Sequence, residues 1–184
     1  MTGRRTAVAA LLILAIAAGA EFAMGRTPIC RCGTVDLWVS SRDSFKTSQM
    51  LADWYSLSHV IHGFLFYFAL WLILRRSPIA WRFLLALSVE TAWEIFENTA
   101  YVIDRYRATT AARGYSGDSI INSLSDILLM AFGFLIARKL PVWASIAIVI
   151  ALELIPLYVV RDNLTLNIWN FLWPNPAIQA WQSR

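Results

Sequence analysis

Apolar residues in this chain gather into blocks of roughly 18–23, the length an α-helix needs to cross a ~30 Å hydrocarbon layer. The first block lies in residues 1–24, where Arg4 and Arg5 precede an apolar run from Ala7 to Ala20. This is the form of a signal peptide, with Ala18-Gly19-Ala20 as a small-residue cleavage sequence, and equally of an uncleaved signal-anchor helix. A polar loop with Gly, Pro, Ser and mixed charges follows over residues 25–53. The second block runs from about Trp54 to Leu74 and stops at Arg75-Arg76-Ser77-Pro78; the third runs from about Ile79 to Ile103. A charged loop from Asp104 to Gly117 leads to the fourth block, Asp118 to Ala137, which ends at Arg138-Lys139 before Pro141. Val142 to Val160 forms the fifth. In the tail, Leu164–Trp173 is too short to span and is expected to lie at the interface or re-enter.

The pattern predicts an all-α transmembrane helical bundle of about five spanning helices with a short C-terminal interfacial helix. It divides into a signal-anchor-like first helix (1–24), an extracytoplasmic loop (25–53) and a polytopic helical membrane domain (54–184).

Composition agrees. Hydrophobic residues make up 58% of the chain and charged residues 15%, too little polar surface for a water-soluble domain. The net charge of +4 does not point to nucleic acid, because the basic residues sit in short clusters at block ends rather than in a stripe with stacking aromatics. Arg4, Arg5, Arg75, Arg76, Arg82, Arg138 and Lys139 fall on one side without an acidic neighbour in those segments. Nine basic residues interleaved with Asp36, Asp43, Asp53, Asp104 and Asp162 fall on the other, so raw totals do not decide the orientation. The signal-like start and the Arg clusters in short loops favour a cytoplasmic N-terminus. Trp54, Tyr55, Trp81, Tyr101, Trp143 and Tyr158 lie near block ends, where their rings anchor at the lipid–water boundary. The two cysteines, Cys30 and Cys32, form a lone C-x-C. It reads as a redox pair, half of an intermolecular bridge or two idle thiols, the idle reading being favoured.

A charge in hydrocarbon costs several kcal/mol, so each intramembrane acid or histidine needs a reason. The second block carries His59 and His62, three apart on one face; the third carries Glu90, Glu94 and Glu97 in one narrow stripe with Asn98. Asp118, Asn122 and Asp126 form a stripe on the fourth, and Glu153 stands on the fifth. At ~1.5 Å per residue from the outer block ends, His59, His62, Glu94, Glu97, Asp126 and Glu153 all lie about 7–14 Å down. Four blocks therefore bring polar groups to one level, as a single buried site opening outward would require.

Imidazoles and carboxylates on facing helices are the ligand set of a divalent metal such as zinc, manganese or iron. His59, His62, Glu94 and Glu97 are the candidate ligands, and Asp118 or Asp126 a further ligand or base. Arg105 and Arg107 in the loop above are candidates to hold an anionic group. Such parts suit a metal-dependent hydrolase or transferase acting on a lipid-linked or envelope substrate. The histidines equally suit hydrogen bonding to Glu94 or Glu97 with no metal. Ser119, Asn122, Ser123 and Ser125 read as packing contacts between helices. A cation or proton transporter and a non-catalytic envelope assembly or resistance factor remain alternatives.

Several segments resemble a known family. Gly25-Arg26-Thr27-Pro28-Ile29-Cys30-Arg31-Cys32-Gly33, Asp53-Trp54-Tyr55-Ser56-Leu57-Ser58-His59-Val60-Ile61-His62-Gly63 and Trp93-Glu94-Ile95-Phe96-Glu97-Asn98 are similar to uncharacterised protein family 0314, as are Arg105-Tyr106-Arg107, Gly117-Asp118-Ser119 and Arg161-Asp162-Asn163. The resemblance implies a multi-pass protein of the bacterial inner membrane and supplies no activity. A weaker similarity, to VanZ-like membrane proteins linked to glycopeptide resistance, rests on His62, Glu94, Asn98, Arg105, Asp118 and Asn122, and keeps an envelope substrate in view.

Overall fold

The apolar blocks fold as helices in a computed structural model that describes residues 3–183. In chain order these are α1 (Gly3–Ala23), α2 (Ser56–Ile73), α3 (Ile79–Glu97), α4 (Ala100–Thr109), α5 (Ile120–Ala137), α6 (Val142–Val160), α7 (Leu164–Leu172) and α8 (Pro176–Gln182). No strand occurs among the described residues. Four helices, α1, α2, α5 and α6, are long and apolar enough to cross a membrane. The 19-residue α3 is as long, but it carries Arg82, Glu90, Glu94 and Glu97. It is polar inside and apolar outside: Glu90, Thr91 and Glu94 are buried, while Trp81, Leu85, Val89 and Phe96 are exposed. Water would favour the reverse arrangement; lipid favours this one.

The third block does not continue to Ile103 as its apolar run suggests. Asn98 ends α3, and Thr99 opens α4, its hydroxyl accepting from the Val102 N–H at 3.5 Å. The segment expected as a charged loop, Asp104 to Gly117, is thus helical in its first part, where α4 continues to Thr109. The tail likewise holds two short helices rather than one. Both are capped by asparagine: Asn163 accepts from the Leu166 N–H and Asn175 from the Ala177 N–H.

The residue 25–53 segment contains no helix or strand, yet it is tied into the bundle. Its carbonyls at Thr27, Pro28 and Ser48 accept from the N–H groups of Ile120, Ile121 and Ser119, supplying partners that the start of α5 lacks. Cys30 and Cys32 are joined by a disulfide, which corrects the idle-thiol expectation. Cys30 is buried with Val39 and Met50 in a small core of this segment.

α2 and α5 form the most extensive helix pair. Gly63 and Gly133 let the two backbones touch: a Cβ on Gly63 would collide with the backbone of Met130 and Phe134, and one on Gly133 with the Val60 carbonyl. His59 lies one turn from Gly63, and Asp126 two turns from Gly133, so this crossing sets the distance between the imidazole and the acid. Around it, Ala17, Leu87, Ile127, Met130 and Phe134 fill a dry core. Gly133→Ala is expected to destabilise the bundle by about 1–3 kcal/mol, seen as a lower melting temperature in detergent. Gly19→Ala, which meets open space, should not lower it.

Candidate metal centre

His59 is the hub. It is buried on α2 and faces three carboxylates from two other helices. Its Nδ1 lies 2.6 Å from Glu90 Oε1 and 3.2 Å from Glu94 Oε1, and its Nε2 lies 3.7 Å from Asp126 Oδ2. Glu90 and Glu94 are one turn apart on α3 and fully buried, 0% and 1% exposed. His62, a turn along from His59, places its Nδ1 3.0 and 3.2 Å from the two oxygens of Glu90. Glu90 thus faces the Nδ1 atoms of both rings, and where both rings are neutral and donate to it, both Nε2 atoms are left without protons.

Two atoms then lack partners. Glu94 Oε1 and Asp126 Oδ1 are buried without a hydrogen bond among the described residues. His59 Nδ1 cannot serve Glu94 well because its one proton is already committed to Glu90. On the far side of the ring, Nε2 faces an Asp126 oxygen across 3.7 Å, which is repulsive for a neutral ring unless a positive charge lies between them and attractive for a protonated one. Two sets of side chains have ligand atoms close enough to share an ion: His59, Glu94 and Asp126, and His59, His62 and Glu90.

The structure thus brings together His59, His62, Glu94 and Asp126 from the sequence-derived candidates. It adds Glu90, which the sequence places in the polar stripe of the third block but not among the candidate ligands. The signal was present: Glu90 lies on the Glu94 stripe and one helical turn deeper, level with His62. Glu97 is not in either ligand set, though it lines the cavity above them. Asp118 also lines the cavity but belongs to a separate knot. Its Oδ2 accepts from Asn98 Nδ2 and from the Tyr115 hydroxyl, each at 2.8 Å, while its own N–H donates to Asn98 Oδ1.

Arg105 and Arg107 do not line the cavity. Arg105 donates to the Phe171 carbonyl and stacks near that ring; Arg107 donates to the Tyr115 carbonyl. The arginines that do line it are Arg42 and Arg113. Glu153 serves structure: its carboxylate accepts from the Leu164 and Thr165 N–H groups at the start of α7.

Sequence reasoning missed Glu21, which lay in a stretch read as a leader end. It is fully buried in α1, and neither oxygen makes a hydrogen bond of good geometry, although the Ser123 hydroxyl lies toward it. A lone acid inside an apolar block was the available sign.

The cavity has a volume of about 660 Å3, within the range of small-molecule sites. His59, His62, Glu90 and Asp126 stand in its wall, and loop residues 42–48 and 111–116 frame its outer end. A buried imidazole–carboxylate cluster inside a bundle of apolar helices defines a polytopic helical membrane protein with a metal-competent site. The chain belongs to the family described as "Protein of unknown function (DUF2585)", which matches residues 21–184.

Curated relatives carry the name UPF0314 protein. The one from Paracoccus denitrificans is 50% identical over 175 residues, covering 95% of this chain and 91% of that one. The one from Rhizobium meliloti is 53% identical over 176 residues, covering 96% and 89%. The one from Sphingopyxis alaskensis is 49% identical over 180 residues, covering 96% and 93%. No solved structure matches the chain.

Burial pushes the Asp118 carboxyl up to about 6, against the opposing effect of its hydrogen bonds from Tyr115 and Asn98. Asp162, buried beside Tyr55 and Gln182, is likewise raised by burial to about 6. Both lie above the ordinary value of 3.8, so the fold favours their protonated forms. Their contribution to stability is complete below that ordinary value and is lost as pH rises through about 6. Melting in detergent with chelator present should show greater stability at pH 5 than at pH 7 from these groups. Asp118→Asn, which keeps an acceptor for Tyr115, should shrink that difference; an unchanged difference would remove Asp118 as its source.

Proposed function

We propose that this protein is an integral membrane enzyme that uses a divalent metal to hydrolyse or transfer a group on a lipid or envelope substrate. The observation that carries this reading is the 3.7 Å gap between His59 Nε2 and Asp126 Oδ2, with Nδ1 tied to Glu90. Nitrogen and oxygen ligands at about 2.0–2.2 Å from one zinc ion stand about 3–4 Å apart, so the gap suits a shared ion. His59, Glu94 and Asp126 are the ligands. Glu90 holds the His59 ring and is itself held by His62, the carboxylate–histidine support that tunes metal sites.

Charge balance supports the reading. Three buried carboxylates face two imidazoles, and a dication offsets their mutual repulsion. When bound, such an ion would polarise a substrate oxygen or activate water. Glu97 and Asp118, both on the cavity wall, are placed to exchange a proton with a group there. A conducting path has less support, because Ile127, Met130 and Phe134 on α5 close the interior below Asp126.

The site end also has the long loops, while Arg4, Arg5, Arg75, Arg76, Arg138 and Lys139 lie at the other end of the helices. Short basic loops support a cytoplasmic position for that end, with the site near the outer face of a bacterial inner membrane.

Full-length protein purified in detergent and exposed to zinc, manganese or ferrous iron should retain about one ion per chain by elemental analysis. Asp126→Asn and Glu94→Gln, which preserve shape, should lose it. Glu90→Gln should keep the ion with affinity weakened about 10–100-fold. Wild-type protein that binds none of these metals would overturn the reading and leave the cluster as a hydrogen-bonded packing device.

A further inference from the structure

The cavity is not closed on all sides. α7 turns one stripe toward it, formed by Leu164, Asn167, Ile168, Phe171 and Leu172 at helical spacing. Apart from Asn167 that stripe is apolar, yet Ile168 and Leu172 remain 51% and 52% exposed. α7 packs chiefly on α4, with the Phe171 and Tyr106 rings 5.2 Å apart. Across the cavity stand Val89 and Trp93 of α3 and Phe66 of α2, and Val89 is 45% exposed. A seam with apolar walls therefore separates α3 from α7.

Depth says what meets this seam. Phe66 lies ten residues along α2 from its site end, roughly 15 Å into the bundle at ~1.5 Å per residue, and Val89 lies at a similar level. At that depth the surroundings are lipid chains, and a polar solute would have to shed its water to use the opening. The outer end differs. Arg113 lines it, and its guanidinium has no partner among the described residues. Arg42 beside it is already occupied by Asp43 and by the Val160 and Gln182 carbonyls. One uncommitted guanidinium above an apolar slot suits a phosphate with a hydrocarbon chain below it.

We infer that the cavity admits a phosphate-bearing lipid sideways from the surrounding leaflet, through the seam between α3 and α7. Its chain lies between Val89 and Ile168, its headgroup rests at Arg113, and the bond next to the phosphate comes toward His59. This names the substrate class for the reading given above and rests on the same cavity, but lipid occupancy does not require the metal.

The test uses the full chain in phosphatidylcholine vesicles doped with phosphatidylglycerol that carries a photoreactive diazirine on one acyl chain. After illumination, mass spectrometry should find adducts on the Phe66, Val89 and Ile168 peptides in excess of those on the exposed α6 residues Ile146, Ile150 and Leu154. Ile168→Trp, which fills the seam, should lower the Phe66 and Val89 adducts about tenfold with the melting temperature and metal content unchanged. Arg113→Gln should lower labelling by the phosphatidylglycerol probe but not by a diazirine-bearing diacylglycerol, which lacks phosphate.

Seam labelling no greater than that of α6, or unaffected by Ile168→Trp, would overturn the inference. An Arg113→Gln variant that labels like wild type with both probes would overturn the headgroup placement. Seam labelling in protein that binds no metal would refute the metalloenzyme reading while upholding this one. Metal binding without seam labelling would do the opposite.

Discussion

The α2–α5 crossing at Gly63 and Gly133 is the constraint from which the rest of the molecule follows. Lipid offers no hydrophobic reward for bringing two apolar helices together, so they associate through close backbone packing. Here both contact positions lack a Cβ, and the helices meet main chain to main chain. That closeness carries His59 and Asp126 to within 3.7 Å. α3 then supplies Glu90 and Glu94 from the side. A side chain at either glycine would push the helices apart and part the histidine from its acid.

The buried polar groups fall into two kinds. Some are satisfied: Asp118 with Asn98 and Tyr115, and Asp162 with Tyr55, Asn167 and Gln182. These fasten loops to the bundle and hold short helices against it. Others are left incomplete, among them one oxygen each of Glu94 and Asp126 and both oxygens of Glu21. In a low-dielectric interior an incomplete acid is costly unless it takes up a proton or a ligand. The first two share the His59 cluster; Glu21 lies on the α1 side, beyond the cavity wall.

Much of this was legible in the sequence. The block from Val142 to Val160 became α6 with the same bounds, since Pro141 and Arg161 punctuate it clearly. His59, His62, Glu94 and Asp126 were recoverable because helical spacing and depth are both readable from residue numbers. Other features were not. The break at Asn98–Thr99 is hidden because apolar residues continue to Ile103, and only the capping hydroxyl of Thr99 marks it. Arg105 and Arg107 seemed suited to an anion because sequence shows their charge and not their direction; both turn to backbone carbonyls. Glu97 and Glu90 are equivalent in the stripe, and only the height of the facing histidines decides which one they meet.

The carbonyls of Thr27, Pro28 and Ser48 that cap α5 have a bearing on biogenesis. The ribosome delivers those three residues long before Ile120, so their acceptors wait through the making of two further long helices, α2 and α3. The contacts that tie the residue 25–53 segment to the bundle at these carbonyls therefore form only once the start of α5 presents its first amides. A helix made later thus serves as the clasp that closes over an early strap.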